Sequence, residues 1–268
     1  MPAKLGQHFL KNTDAIKKII AALEIQQNDN IVEIGPGKGA LTFPLAEECI
    51  QKNCRLIAIE KDRELFSILK EKLKDNKNIF IVNGDALEEL ENVINKIKQS
   101  LGDQAKFKIV GNIPYYITGK LLRIISELKN KPENCILMVQ KEVAERISAI
   151  PPHNNLLASA TSVWANIKIL LKLKASEFDP PPEVDSAVIQ LIPNDKELAP
   201  EQLDKYYKLI HVIFKQPRKT LANNLKDGLD LPRVETENLI TSVNLPLNSR
   251  PQDISVEQIL KISDLTIS

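Results

Sequence analysis

The chain is poor in cysteine and histidine and has almost no net charge. Its 268 residues include three cysteines, Cys49, Cys54 and Cys135, with no paired spacing. That pattern argues against a disulfide framework or a zinc cluster. The three histidines, His8, His153 and His211, are scattered along the chain, so no dedicated metal site is expected. The apolar runs break within a few residues, so no membrane span is expected either. The N-terminus, Met-Pro-Ala-Lys-Leu-Gly-Gln-His, lacks the apolar stretch of a signal peptide. A cytoplasmic, metal-free protein is expected. The net charge of +1 does not by itself announce a nucleic-acid partner.

The distribution of charge says more than its sum. No acidic residue lies between Lys205 and Lys226, a stretch that also holds Lys208, Lys215, Arg218 and Lys219. Lys4, Lys11, Lys17 and Lys18 make the N-terminal arm basic too. Local basic faces are what phosphate contacts require, although a charge run alone also fits a solvated helix face. With 43% hydrophobic and 26% charged residues, the composition is that of a globular protein. The length suffices for one large core and a small appended domain.

Short apolar runs alternate with helix-length patterns. Ile31–Ile34, Arg55–Glu60, Ile79–Val82, Phe107–Gly111 and Cys135–Val139 read as strands. Leu41–Lys52, Arg63–Lys74, Leu87–Gln99 and Lys120–Leu128 read as the helices between them. Near-continuous apolar strands separated by helices imply an α/β fold with a parallel sheet covered on both faces. Ile167–Lys174 and Ser186–Ile192 add two strands, joined by the stiff Phe178-Asp-Pro-Pro-Pro-Glu, which suits an antiparallel pair at one edge. Beyond Pro193 every segment reads as helix or turn: Glu201–Phe214, Arg218–Leu225, Arg233–Val243 and Val256–Ile262. The expected domains are therefore 1–195, holding the sheet, and 196–268, all helical.

The ends of four successive strands carry polar and glycine residues in register. Val32-Glu-Ile-Gly35-Pro-Gly37-Lys-Gly39 follows the first strand, where glycine lets backbone approach a ligand closely. Glu60 ends the second strand, where a carboxylate can accept from both ribose hydroxyls. To this point a nicotinamide cofactor fits nearly as well as S-adenosylmethionine. Asp85, within Asn83-Gly84-Asp85-Ala86-Leu87, can accept from an adenine amine, or can simply cap a helix. Asn112-Ile-Pro-Tyr115 ends the fourth strand. The Asn112 oxygen and a carbonyl of the Pro114 turn can each accept one hydrogen of an exocyclic amine. Tyr115 can stack on the base, a contact worth about 1–3 kcal/mol. Two acceptors on one amine favour a pyramidal nitrogen and return its lone pair, which is chemistry for methylating adenine N6. Taken alone, Asn-x-Pro-Tyr is also an ordinary turn after a strand.

Together these residues resemble the ribosomal RNA adenine dimethyltransferase family over nearly the whole chain. Gly6-Gln-His-Phe-Leu10, Glu33-Ile-Gly-Pro-Gly37, Glu60, Gly84-Asp-Ala86 and Asn112-Ile-Pro-Tyr115 are similar to the family's successive motifs. Met138–Arg146 and Phe178–Ala187 follow at the corresponding places. The resemblance implies a Rossmann-like class I methyltransferase with a mostly parallel seven-stranded sheet, plus a small all-α C-terminal domain. It implies S-adenosylmethionine held by His8, Leu10, Gly35, Gly37, Glu60, Asp85, Ala86 and Asn112. Asn112 and Pro114 would then orient the target amine, with Tyr115 and Phe178 sandwiching its adenine. Phe214–Leu225 and Arg250–Gln258 look like the branch that dimethylates two adjacent adenosines in the 3′-terminal hairpin of 16S rRNA, with Lys215, Arg218 and Lys219 on the RNA. A monomer acting on the small ribosomal subunit or its precursor is expected. The alternatives are another adenine N6-methyltransferase, acting on 23S rRNA or DNA, and an assembly factor that works by binding. A nicotinamide oxidoreductase is the remote third.

This chain also departs from the family pattern. His8 stands where Asn is commoner, Pro217 replaces a usual Arg, and residues 150–160 lack the usual motif. Tyr116 takes a position often held by Asn and reads as a neighbour of the base pocket.

Overall fold

The computed structural model describes residues 8–196 and 198–266, with the side chain of Tyr115 excepted. Lys4, Gly6 and Gln7 lie outside the described residues. The chain forms two compact units: one ends at Ala144 and resumes over Asn166–Pro193, and the other joins Glu145–Ala165 to the residues from Asn194 onward.

The first unit opens with β1 (Phe9–Leu10) and α1 (Thr13–Ala22). Asn12 starts that helix by accepting from the N–H groups of Asp14 and Ala15, satisfying donors that have no partner within the helix. β2 (Asn30–Ile34), α2 (Thr42–Lys52), β3 (Arg55–Glu60), α3 (Arg63–Leu73), β4 (Ile79–Asn83), α4 (Ala86–Leu101), β5 (Lys108–Asn112), α5 (Thr118–Glu127) and β6 (Asn134–Gln140) alternate after it. The chain passes to the second unit within α6 (Lys141–Ile147), forms α7 (Leu156–Ser162) there, and returns to the first with β7 (Ala165–Leu173), β8 (Phe178–Asp179) and β9 (Ser186–Pro193).

Seven strands form one sheet in the order β4-β3-β2-β5-β6-β9-β7. β4, β3, β2, β5 and β6 run parallel, and β9 lies antiparallel to β6. Every residue of β2 is buried, as is every residue of β6 except Gln140. That leaves no polar face along the centre of the sheet and explains the unbroken apolar runs. β1 pairs separately with β8, antiparallel, with Leu10 opposite Phe178.

In the second unit α8 (Pro200–Ile213), α9 (Leu221–Leu229), α10 (Arg233–Ser242) and α11 (Val256–Thr266) follow one another. Residues 145–165 correct the expectation of a sheet domain over 1–195, because they pack with these helices. Tyr206 Oη donates to Ser159 O at 3.0 Å and Tyr207 Oη donates to Ala160 O at 3.2 Å. Asn154 Nδ2 donates to Ile254 O at 2.7 Å. Buried tyrosine hydroxyls need acceptors, and α7 supplies them. That requirement shows only when two sequence-distant segments are seen together.

Gly111, one residue before Asn112, sits where the strands leave no space. A Cβ there would lie 2.5 Å from Ile34 O, a backbone atom that cannot turn aside. Gly111→Ala is expected to destabilise the fold by about 1–3 kcal/mol, the usual cost of overpacking. The urea midpoint should fall accordingly, and an unchanged midpoint would show that β2 and β5 can part.

Candidate active site

The parallel register brings the chemistry to one edge of the sheet. A cavity there is lined by His8, Leu10, Gly35, Gly37, Glu60, Asp85, Ala86, Asn112 and Pro114. These residues come from five separate stretches of the sequence, and all were expected at the site. Phe9, Glu33, Lys61, Tyr116 and Met138 line it as well.

The glycine turn is held open by its neighbours. Gly35 and Gly37 have φ of +66° and +60°, the left-handed region that favours glycine. A Cβ on Gly37 would meet the Phe9 ring at 2.8 Å, so the turn is also where the N-terminal strand closes down. Glu60 fixes the turn from the other side. Its Oε2 accepts from Gly37 N at 2.9 Å, and its Oε1 accepts from Asp62 N at 2.8 Å. Burial pushes the Glu60 carboxyl above its ordinary range, against the lowering effect of those two N–H donors. Each carboxylate oxygen keeps a second lone-pair direction for a hydroxyl.

Asp85 does two jobs. Oδ1 accepts from Leu87 N at 2.9 Å and caps α4, while Oδ2 pairs with Lys61 Nζ at 2.9 Å. Burial opposes ionisation of Asp85, yet the Lys61 hydrogen bond, the Leu87 N–H and the nearby charges of Lys61 and Lys120 outweigh it. Its carboxyl is held below the usual range. The helix cap and the cavity-facing carboxylate are therefore one side chain.

Asn112 closes the arrangement. Its Nδ2 donates to His8 O at 2.9 Å, which orients the carboxamide so that the oxygen remains its acceptor. His8 Nδ1 is 2.8 Å from Pro180 O, and Lys11 N donates to Glu177 O at 2.8 Å. The N-terminal strand is thus stitched along its length to the segment around β8. Sequence reasoning had no signal for this stitching, since its partners lie more than a hundred residues apart.

Phe178 stands apart from the rest. It is buried at 1% exposure within the hydrophobic core beside Leu10 and does not line the cavity. Pairing with β1 turns its ring inward. Pro114 lines the cavity, while the Tyr115 side chain lies outside the described residues. Lys215, Arg218 and Lys219 belong to the second unit, exposed in the turn before α9. Arg218 was expected to open a helix, but α9 begins only at Leu221, where Thr220 caps it by accepting from Asn223 N. Lys219 also pairs with Asp227 at 3.4 Å.

Glu33 is the residue the sequence reading left without a role. It is 1% exposed, lines the cavity, and its Oε2 has no hydrogen-bond partner among the described residues. Burial pushes its carboxyl up to about 8; the nearby Thr42 hydroxyl opposes the rise and Glu60 adds to it. Among the described residues no group of three His, Cys, Asp or Glu could hold a metal ion, and no helix is long and apolar enough to cross a membrane.

The profile of the family described as Ribosomal RNA adenine dimethylase matches residues 2–267. The Ribosomal RNA small subunit methyltransferase A of Dehalococcoides mccartyi is 35% identical over 259 residues, covering 96% of this chain and 86% of its own. The protein of the same name from a Nostoc species is 36% identical over 276 residues, covering 98% and 97%. A dimethyladenosine transferase from Plasmodium falciparum superposes with a TM-score of 0.76 at 24% identity, over 95% of this chain and 96% of that one. The 23S rRNA methyltransferase ErmE does so with a TM-score of 0.72 at 24% identity, over 97% and 100%. At that identity these two structures establish the fold alone.

Glu33 gives a pH test. The folded protein holds a proton that the unfolded chain releases above about pH 4.5, its ordinary value. Stability should therefore fall as pH rises from there to about 8, by a few kcal/mol in all. Glu33→Gln should flatten much of that slope in urea titrations at pH 5 and pH 8.5, the remainder belonging to Glu60. An unchanged slope would mean that Glu33 is ionised in the folded state.

Proposed function

Because this chain belongs to the ribosomal RNA adenine dimethylases, we propose that its target is a pair of adjacent adenosines in the 3′-terminal hairpin of 16S rRNA. It is an S-adenosylmethionine-dependent rRNA adenine dimethyltransferase. The small-subunit assignment is supported by relatives named for that subunit, which are 35–36% identical over 96–98% of this chain. On this reading the protein acts as a monomer in the cytoplasm, on the small subunit or its precursor. The units divide the work, with the sheet unit holding the cofactor and the helical unit, through Lys215, Arg218 and Lys219, holding RNA phosphates.

The cavity fits the cofactor by its donor set and its space. The Gly35–Gly37 turn presents backbone where a Cβ would intrude. Glu60 offers acceptors for ribose hydroxyls and Asp85 an acceptor for the adenine amine. When bound, S-adenosylmethionine supplies a methyl group already activated on a sulfonium. The protein's part is then positioning, which can account for a large share of the acceleration.

One observation carries the catalytic assignment: Asn112 is anchored through its nitrogen to His8 O at the cavity wall. Its oxygen then accepts one N6 hydrogen, and a carbonyl of the Pro114 turn accepts the other. These two contacts would orient the amine and free its lone pair for the methyl group that S-adenosylmethionine supplies when bound. The proton leaves to water after alkylation, so no strong base is required. Tyr115 stacks on the adenine, which leaves its own stack to enter; a hairpin loop makes that exit less costly than a duplex. Phe178 completes a sandwich only by turning out of the core.

Small subunits lacking the hairpin modification, incubated with labelled S-adenosylmethionine, should acquire dimethyladenosine at the two hairpin positions on nuclease mapping. No label in the small subunits, with label in 23S rRNA or DNA offered separately, would refute the small-subunit reading. Asn112→Ala should lose about 100- to 1000-fold in kcat, the scale of removing one aligned hydrogen-bonding group, while cofactor affinity measured by calorimetry stays within a few-fold. Equal loss of both would place Asn112 in the cofactor site alone. Replacing Arg218 and Lys219 by Ala should weaken RNA binding and reduce its salt slope by up to about 2. An unchanged slope would remove them from the interface.

A further inference from the structure

Tyr116 combines two properties that no other described residue shares. It is a large apolar side chain that is 68% exposed, and it lines the cavity. It stands in the short 3₁₀ turn Tyr115–Ile117, two residues after Pro114. Ile113 and Ile117, at 1% and 8% exposure, anchor the backbone on either side. The ring is therefore displayed at the rim by a turn that Ile113 and Ile117 hold in the core. Lys61, which interacts electrostatically with it, is already paired with Asp85 at 2.9 Å, and Lys120 is exposed at the start of α5. What the rim offers is a flat π face more than an uncompensated charge.

Resting on the RNA-methylation reading above, we propose that Tyr116 is the stacking platform for the nucleotide next to the target adenosine. When the target base enters past Asn112 and Pro114, its neighbour loses a stacking face at the rim. Tyr116 stands there to replace that face. Base–aromatic stacking tolerates any base, so the platform would hold either member of an adenosine pair while the other is in the cavity. A single site could then serve both positions in turn.

The test uses a fluorescein-labelled RNA hairpin with two adjacent loop adenosines, titrated by anisotropy in saturating S-adenosylhomocysteine. Tyr116→Ala should bind it about 5- to 150-fold more weakly than the unaltered protein, and Tyr116→Phe within about twofold. The ratio between the unaltered protein and Tyr116→Ala should be the same at about 50 and about 200 mM salt, since stacking releases no counterions. S-adenosylhomocysteine affinity should not change. Equal binding by all three proteins would overturn the proposal, as would failure of the unaltered protein to bind the hairpin. A drop in S-adenosylhomocysteine affinity in Tyr116→Ala would overturn it too, moving the ring onto the cofactor. Methyl transfer is read separately: a hairpin bound as predicted but not methylated would sink the functional reading and leave the platform standing.

Discussion

Parallel register is the constraint on which the site depends. Ile34 pairs with Ile59 on one side and Gly111 on the other, and Glu60 pairs with Asn83. Parallel strands end together, so the residues that follow them are delivered to one edge within a few ångströms of each other. The glycine turn, the Glu60 carboxylate, the Asp85 cap and the Asn112 carboxamide are consequences of that alignment. A shift of one residue in any of these strands would turn its side chains to the opposite face of the sheet. The cavity would then lose one of its polar groups whatever the other three did. Burial of both faces is what fixes the alignment, so the apolar runs and the polar strand ends form one device.

Hydrogen bonds made across the site keep that edge in shape. Glu60 is bound by Gly37 and Asp62, Asp85 by Leu87 and Lys61, and Asn112 by His8. Every polar group expected to touch a ligand thus already has a partner within the protein. Such groups are pre-organised, because rotamers held by a second contact lose little freedom when a ligand arrives. It also means that one residue carries two roles, as when Asp85 both starts α4 and faces the cavity. A helix cap and a cavity-facing acceptor, alternatives for Asp85 in the sequence, fall on one side chain in the fold.

What was legible in the sequence was local. β3 runs from Arg55 to Glu60, as its apolar run implied, and the remaining sheet strands fall within two residues of their expected ends. Strand ends and glycine turns carry their own signatures, and these pointed to Gly35, Gly37, Glu60, Asp85, Asn112 and Pro114, while His8, Leu10 and Ala86 followed from the family resemblance alone. Contacts between distant segments were not legible. The clip of β1 onto β8, the burial of Phe178 beneath it, and the packing of α7 under Tyr206 and Tyr207 each join residues with no shared local pattern. Glu33 was in plain view between two apolar neighbours. Its burial next to Glu60 depends on the sheet and on Thr42, which a linear reading cannot assemble.

Those two buried carboxylates set the electrical character of the cavity. Glu33 and Glu60 both resist ionisation because burial removes them from water, and Glu60 makes Glu33 harder still to charge. A neutral residue in place of Glu33 would spare the fold that burden, so stability alone gives no reason for it, whereas Glu60 also holds the glycine turn. A ligand bearing a sulfonium and an ammonium changes the sign of the problem, since positive charge in a low-dielectric cavity favours the carboxylate form. A positively charged ligand would therefore meet in Glu33 and Glu60 two carboxyls that burial keeps from full ionisation in the ligand-free fold.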